Sequence, residues 1–295
     1  MKPGRFVLYE PTSVDQAVLM LADVAGQDGR ILAGGQTLVP AMALRFAQPA
    51  YLIDINRIEA LGILAAEAGH LRIHARVRHA AFHKPVVPGP LGDLLSDVVQ
   101  HIAHLPIRTR GTFCGSIANA DPASEWCLVA VALEAIMHAR SHADGAREIA
   151  ASDYFQGYMS TALRADELLE SVRIPLLSAD TRWGFEEFSR RAGDFAQAMA
   201  LVTLRADGNR ARDVRIGVGG VESTPRRLRE AEAMCEGREL TSSLINDAAA
   251  CAAAAVTPMD TTAQECNYRR GLVRTVVERA LGRARPLPGI RGDHA

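Results

Sequence analysis

A mixed fold of helices and strands, arranged in two successive parts, is what the amino-acid sequence predicts, and three observations predict it. Apolar residues recur with helical period in some segments and with strand period in others along nearly the whole chain. Two glycine-containing turns, around Gly34-Gly35 and around Gly111 to Gly115, each follow an apolar segment and end in hydroxyl or amide side chains. A strand pattern stops at Pro175, which places a boundary near residues 175–179.

Each element has its own justification. Ser13 is suited to cap a helix whose Gln16 reaches back, with Val14, Val18 and Leu21 on one face and Gly26 to Gly29 ending it. Arg30 to Ala33 reads as a short buried strand, and the turn Gly34 to Thr37 opens a helical stretch from Leu38 to Phe46. Tyr51 to Ile55 is a further strand. Between Leu61 and Val77 a hairpin is expected, turning at Glu67 to Gly69. There Leu71, Ile73, Ala75 and Val77 face the core, and Arg72, His74, Arg76 and Arg78 face water. Leu94, Leu95, Val98, Val99 and Ile102 form a helical stripe. Ala123 to His138 reads as helix turning into strand, and Glu167 to Ile174 as strand. Beyond the boundary, Phe195 to Arg205 fits helix or strand and Val214 to Val218 a strand. Thr241 or Ser242 caps an Ala-rich helix to Ala255, and Gln264 to Leu281 is an amphipathic helix. Pro286, Pro288 and Gly292 mark residues 285–295 as a disordered tail.

A chain of 295 residues, 48% hydrophobic, can hide roughly three quarters of the surface its unfolded form exposes. The formal net charge of −1 gives no broad attraction for nucleic acid or anionic membrane, so a small molecule or another protein is the expected partner. The longest apolar run, Cys127 to Met137, is interrupted by Glu134 and is too short to span a bilayer. The N-terminal residues lack the apolar core of a secretory signal, so a cytoplasmic location is expected. Cys114, Cys127, Cys235, Cys251 and Cys266 include no Cys-x-x-Cys pair, which argues against a disulfide framework or an iron–sulfur cluster held by this chain alone. His101 and His104, three apart on an expected helix, and His138 and His142, four apart, have no third ligand beside them, and no metal site is assigned.

The chemistry resides in the two turns. Glycine lets a backbone approach an anion closely, and consecutive N–H groups then act as donors with no charged side chain nearby. Each hydrogen bond to a charged group contributes ~1.5–3 kcal/mol, so four or five of them could hold a diphosphate. Gly217-Val218-Gly219-Gly220 superficially matches a nicotinamide-dinucleotide fingerprint, but the third glycine is missing and Ser223-Thr224-Pro225 breaks the expected helix start, so it is read as a structural turn. No acid–base constellation suited to catalysis stands out, and no catalytic residue is assigned.

Two longer phrases carry a resemblance. They are Ala33-Gly34-Gly35-Gln36-Thr37-Leu38-Val39-Pro40 and Arg110-Gly111-Thr112-Phe113-Cys114-Gly115-Ser116-Ile117-Ala118-Asn119-Ala120-Asp121-Pro122. With Phe155-Gln156-Gly157-Tyr158, Arg190 to Ala196, Gly217 to Gly220 and Tyr268-Arg269-Arg270 following in order, the chain resembles the FAD-binding (medium) subunits of molybdenum hydroxylases. That family includes the flavoprotein subunit of carbon monoxide dehydrogenase and the FAD domain of xanthine dehydrogenase. The resemblance implies an α+β fold with a two-part FAD-binding region of the PCMH type, residues 1–57 and 58–176, followed at 177–284 by a C-terminal α/β domain of the carbon monoxide dehydrogenase flavoprotein type, the flavin lying between them.

By position the resemblance implies that Ala33, Gly34, Gly35, Gln36 and Thr37, running into Leu38, bind the pyrophosphate, and that Thr112, Cys114, Gly115 and Ser116 complete the cradle. Ile102 lies against the cofactor, Asp121 and Glu125 meet ribityl or ribose hydroxyls, Leu169 packs near the isoalloxazine, and Arg190 or Arg191 and Phe195 stand near the ring. Gln36-Thr37 replaces the more usual His-Ser, and Cys114 occupies a place where glycine is common. The implied function is an electron-transferring oxidoreductase subunit. Substrate is oxidised at a molybdenum cofactor in a large partner, and electrons pass through [2Fe-2S] clusters of a small partner to this FAD and on to an external acceptor, in a dimer of heterotrimers. A stand-alone FAD oxidoreductase and a flavin-less scaffold are the alternatives. The oxidised substrate is not legible, because its pocket belongs to another chain.

Overall fold

The computed structural model describes residues 2–285, so the expected tail lies outside the described residues from 286 onward. The helices, in chain order, are α1 (Val14–Val24), α2 (Leu38–Ala43), α3 (Pro90–Val98), α4 (Leu105–Arg108), α5 (Phe113–Asn119), α6 (Glu125–Ala132), α7 (Ala151–Tyr154), α8 (Arg229–Cys235), α9 (Ser242–Ala255) and α10 (Ala263–Ala284). The fold is α+β, and the chain divides into two compact units, neither of them continuous in sequence. Among the described residues the first holds 2–87, 102–121 and 134–176; the second holds 88–101, 122–133 and 177–285.

The first unit contains two main sheets. Strands β1 (Val7–Tyr9), β2 (Gly29–Leu32) and β3 (Tyr51–Asp54) form a parallel sheet in the order β1-β3-β2. Parallel neighbours need crossover segments, and α1 and α2 supply them. Ser13 caps α1 by accepting from the Gln16 N–H at 3.2 Å, while the Gln16 amide oxygen reaches back one residue further than expected, to the Thr12 N–H at 2.9 Å. Strand β2 is less buried than its sequence suggests, since Arg30 is exposed and Ile31 and Leu32 are half-buried. Helix α2 stops at Ala43, and Leu44 and Phe46 beyond it are exposed.

Strands β4 (Leu64–Glu67), β5 (His70–His74), β6 (Ile136–Ser141), β7 (Gly145–Ala150), β8 (Phe155–Gly157), β9 (Ser160–Thr161) and β10 (Leu168–Pro175) follow. All but the β8–β9 ribbon join an antiparallel sheet ordered β4-β5-β10-β6-β7. The β4–β5 turn falls at Ala68-Gly69, both at positive φ. Leu71, Ile73, Met137, Ala139, Val172 and Ile174 are fully buried on one face, with Phe113 and Ile117 of α5 in the same core. The opposite face is drier than expected. Arg72, His74, Arg76 and Arg78 are half-buried: Arg72 pairs with Glu67, Arg173 reaches Glu148 across the sheet, and beyond β5 Arg76 donates to the Ile58 carbonyl and Arg78 to Asn56.

The second unit is an antiparallel sheet of β11 (Thr181–Phe188), β12 (Ala198–Asp207), β13 (Arg210–Gly219) and β14 (Arg226–Arg227), in that order. Helices cover both faces of β12: Ala198, Ala200, Val202 and Leu204 pack with α8, α9 and α10, while Met199 and Leu201 point to the other side and are equally buried. A strand buried on both faces reads as an unbroken apolar run, which explains why its type was undecided from sequence. Thr241 caps α9 through the Leu244 N–H, and Thr262 with Glu265 forms a complete capping box on α10. The glycines at 217–220 serve packing. A Cβ on Gly217 would lie 2.9 Å from Leu128 and 3.0 Å from Ala132, so glycine is what lets α6 lie close on β13. His101 and His104 do not share a helix, because α3 ends at Val98 and Ala103 turns at positive φ.

Candidate functional site

The two glycine turns meet in the first unit. Gly34 follows β2 and rests on the second turn: a Cβ there would lie 2.4 Å from the Arg110 carbonyl oxygen and 2.7 Å from Gly111 Cα, closer than packed atoms approach. Gly35 adopts φ +71°, a left-handed conformation unfavourable to other residues. The N–H groups of Gly34, Gly35, Gln36 and Thr37 donate to no group among the described residues. A turn closed at the back with four uncommitted donors is an anion cradle in form.

Three residues that sequence reasoning missed fasten the turns together. Asn56, just past β3, donates through Nδ2 to the Ala33 carbonyl at 2.8 Å, and Asp54 accepts from both its amide and its N–H, at 2.6 and 2.9 Å. The Arg78 guanidinium donates to Asn56 Oδ1 at 2.5 Å and to the Arg110 carbonyl. His79 donates its N–H to the Gly111 carbonyl at 3.0 Å, and its ring lies 2.6 Å from where a Gly111 Cβ would sit. Burial, then the Arg110 and Arg76 charges, hold the Arg78 guanidinium below its ordinary pKa, against the opposing pull of Asp54. Burial, then Arg78 and Arg108, push the His79 imidazole down to about 4, so it is neutral at neutral pH. The expectation of a cradle without charged groups nearby is therefore corrected. Arg78 reaches both turns, with Arg76 and Arg110 near enough to oppose its charge, a grouping disguised in sequence because two of the three sit in an alternation that reads as a solvated face.

The second turn is largely helix. Thr112 caps α5, its hydroxyl accepting from the Gly115 N–H at 3.0 Å; the Phe113 N–H goes to the Val77 carbonyl and the Ser116 N–H to the Thr112 carbonyl. Its donors are thus mostly committed, and the open donors belong to residues 34–37. Cys114 sits in ordinary helical backbone with its side chain buried, Sγ donating to the Ile73 carbonyl at 3.3 Å. Burial pushes this thiol far up, and the side chain points into the core rather than into the cradle.

The remaining expected residues separate by unit. In the first, Ile102 is buried with its carbonyl accepting from Arg108 at 2.8 Å, Leu169 is buried in β10 beside a bulge, and Asp121 is half-buried after the left-handed Ala120. In the second, Arg190 and Arg191 are exposed on a turn closed by the Asp194 N–H to the Arg191 carbonyl at 3.0 Å, and Phe195 is 74% exposed. Glu125, also there, is buried and hydrogen-bonds Glu187 of β11, whose side chain is 3% exposed and whose Oε2 lies 3.9 Å from His101 Nδ1. Burial, then the Glu125 charge and that hydrogen bond, raise the Glu187 carboxyl well above the carboxylate range. Sequence reasoning gave no sign of Glu187. Among the described residues no group of three or more His, Cys, Asp or Glu is arranged to hold a metal ion, and no helix is long and apolar enough to cross a membrane.

Fold and site together define a protein with a small parallel β/α/β unit, an antiparallel sheet beside it, and a glycine-floored backbone cradle suited to a dinucleotide's diphosphate. Residues 4–177 match the family described as the FAD binding domain in molybdopterin dehydrogenase, and residues 183–284 match the carbon monoxide dehydrogenase flavoprotein C-terminal domain. The chain belongs to this family of FAD-binding medium subunits of molybdenum hydroxylases. It is 36% identical over 272 residues to the nicotine 6-hydroxylase medium subunit of Paenarthrobacter nicotinovorans, covering 92% of this chain and 94% of that one. It is 33% identical to the carbon monoxide dehydrogenase medium chain of Hydrogenophaga pseudoflava, with 96% and 98% covered. Among solved structures, carbon monoxide dehydrogenase from Hydrogenophaga pseudoflava superposes with a TM-score of 0.91 at 34% identity, covering 96% of this chain and 98% of that one. Quinoline 2-oxidoreductase from Pseudomonas putida 86 gives 0.89 at 32%, with the same coverage.

Proposed function

We propose that this chain holds FAD by its pyrophosphate at residues 33–38, with α5 and its cap Thr112 closing the cradle, and that it relays electrons within a molybdenum hydroxylase. The observation that carries the reading is the close contact of Gly34 with Arg110 and Gly111, where only glycine fits, at a turn whose N–H groups at residues 34–37 are uncommitted among the described residues. Asp121, Ile102 and Leu169 are further cofactor contacts from the first unit; Glu125, Arg190 or Arg191, and Phe195 are those expected from the second. Bound flavin accepts electrons singly or in pairs; the protein's part is to bind, orient and shield it. Oxidation of substrate belongs to a large molybdenum-cofactor partner, electrons arrive from a small [2Fe-2S] partner, and the three form a dimer of heterotrimers in the cytoplasm.

The test is chromatography of the cofactor released from the purified protein, which should be FAD at one per chain. Gly34→Val should empty the site while the apoprotein still folds, since its side chain would enter the space of the Arg110 carbonyl. Recovery of FMN, or no flavin uptake by wild type in excess FAD, refutes the reading.

A further inference from the structure

The side chains behind the cradle have a role of their own, which rests on the FAD reading above. A trans peptide points its C=O and N–H in opposite directions, so pinning the Ala33 carbonyl at the back turns the Gly34 N–H to the front. Asn56 does the pinning, and Arg78 holds Asn56 in place through Oδ1 while its other nitrogen holds the Arg110 carbonyl, on which Gly34 rests. One guanidinium thereby fixes both turns, and it arrives from β5's continuation, whose backbone bridges to the second turn at Arg78 and Thr112.

The same group has a charge that its surroundings do not neutralise. Arg76 and Arg110 oppose it, and Asp54 favours it. A cluster of like charges beside uncommitted N–H donors favours an anion there, and a diphosphate supplies one.

We propose that Arg78, acting through Asn56 and the Arg110 carbonyl, is a positioning residue that aligns the cradle's N–H groups and selects for the diphosphate of the dinucleotide. Lysine cannot replace it fully, since an ammonium lacks the planar fork that reaches two acceptors at once.

The experiment titrates FAD into the full chain after cofactor release, for wild type, Arg78→Met and Arg78→Lys, at about 0.05 and about 0.5 M KCl. Thermal melts of each apoprotein run alongside. Arg78→Met should bind FAD about 10- to 100-fold more weakly at low salt, and its deficit should narrow at high salt, where the lost charge matters less. Arg78→Lys should lose less and keep the salt dependence of wild type. A merely structural arginine would change the melts and leave the salt dependence alone. If Arg78→Met does not fold, Arg78→Lys decides: affinity equal to wild type overturns the proposal, and a partial loss with wild-type salt dependence supports it. Arg78→Met binding as tightly as wild type, or with a deficit identical at both salts, overturns it while leaving the FAD reading intact. Wild type that takes up no FAD overturns both.

Discussion

Replacing Glu187 by glutamine should make the protein more stable at slightly alkaline pH. In the folded chain burial and the neighbouring Glu125 raise the Glu187 pKa from 4.5 to about 8, so between those values the folded state keeps a proton that the unfolded state has released. Stability therefore falls as pH rises through this window, by about 1.4 kcal/mol per unit. The full span corresponds to on the order of 3 to 5 kcal/mol, shared with Glu125. Below pH 4.5 both states hold the proton and the effect is gone. Glutamine keeps the volume and a donor towards Glu125 but cannot ionise, so Glu187→Gln should remove most of the slope and raise the melting temperature at pH 8 by several degrees. Chemical or thermal melts of both proteins from pH 5 to pH 9 measure it. Parallel pH profiles, or a variant less stable than wild type at pH 8, would show that the pair is not proton-sharing and refute the argument.

Two further outcomes can be checked alongside the cofactor and Arg78 experiments. Glu232, its side chain 7% exposed, accepts from Arg227 at 2.7 and 2.8 Å and from the Ile216 N–H at 2.9 Å; Glu232→Ala removes all three bonds and should cost ~1–3 kcal/mol in urea unfolding. Cys114→Gly should lower stability by ~1–3 kcal/mol, through lost packing and helix propensity, while FAD stoichiometry stays at one per chain, because its thiol points into the core.

Local signals were legible where one rule governed the outcome. The caps Ser13 and Thr241 fixed helix starts, and the buried alternation Leu71-Ile73-Ala75-Val77 located β5 and one face of it. Signals failed where long-range partners decided. Strand β11 was not foreseen, since Glu186 and Glu187 break its apolar pattern; in the fold Arg283 pairs with Glu186, and Glu187 hydrogen-bonds Glu125. Strand β1 is three residues long, too short to show a period, and exists because β3 lies beside it. At the site, the glycine phrases were readable, but not that the second would wind into a capped helix. The fastening by Asn56, Arg78 and His79 was hidden as well, since carbonyl acceptors leave no mark in a sequence.

The segments 88–101 and 122–133 lie within the stretch matched as the FAD-binding domain, yet they are built into the second compact unit. The chain passes between the two units five times, so no single cut separates them. A fragment ending at residue 176 would carry α3 and α6 away from the sheet they cover, with Leu94, Val98, Leu128 and Val129 stripped of partners. Grafting the C-terminal portion from one relative onto another must therefore carry matching versions of both helices.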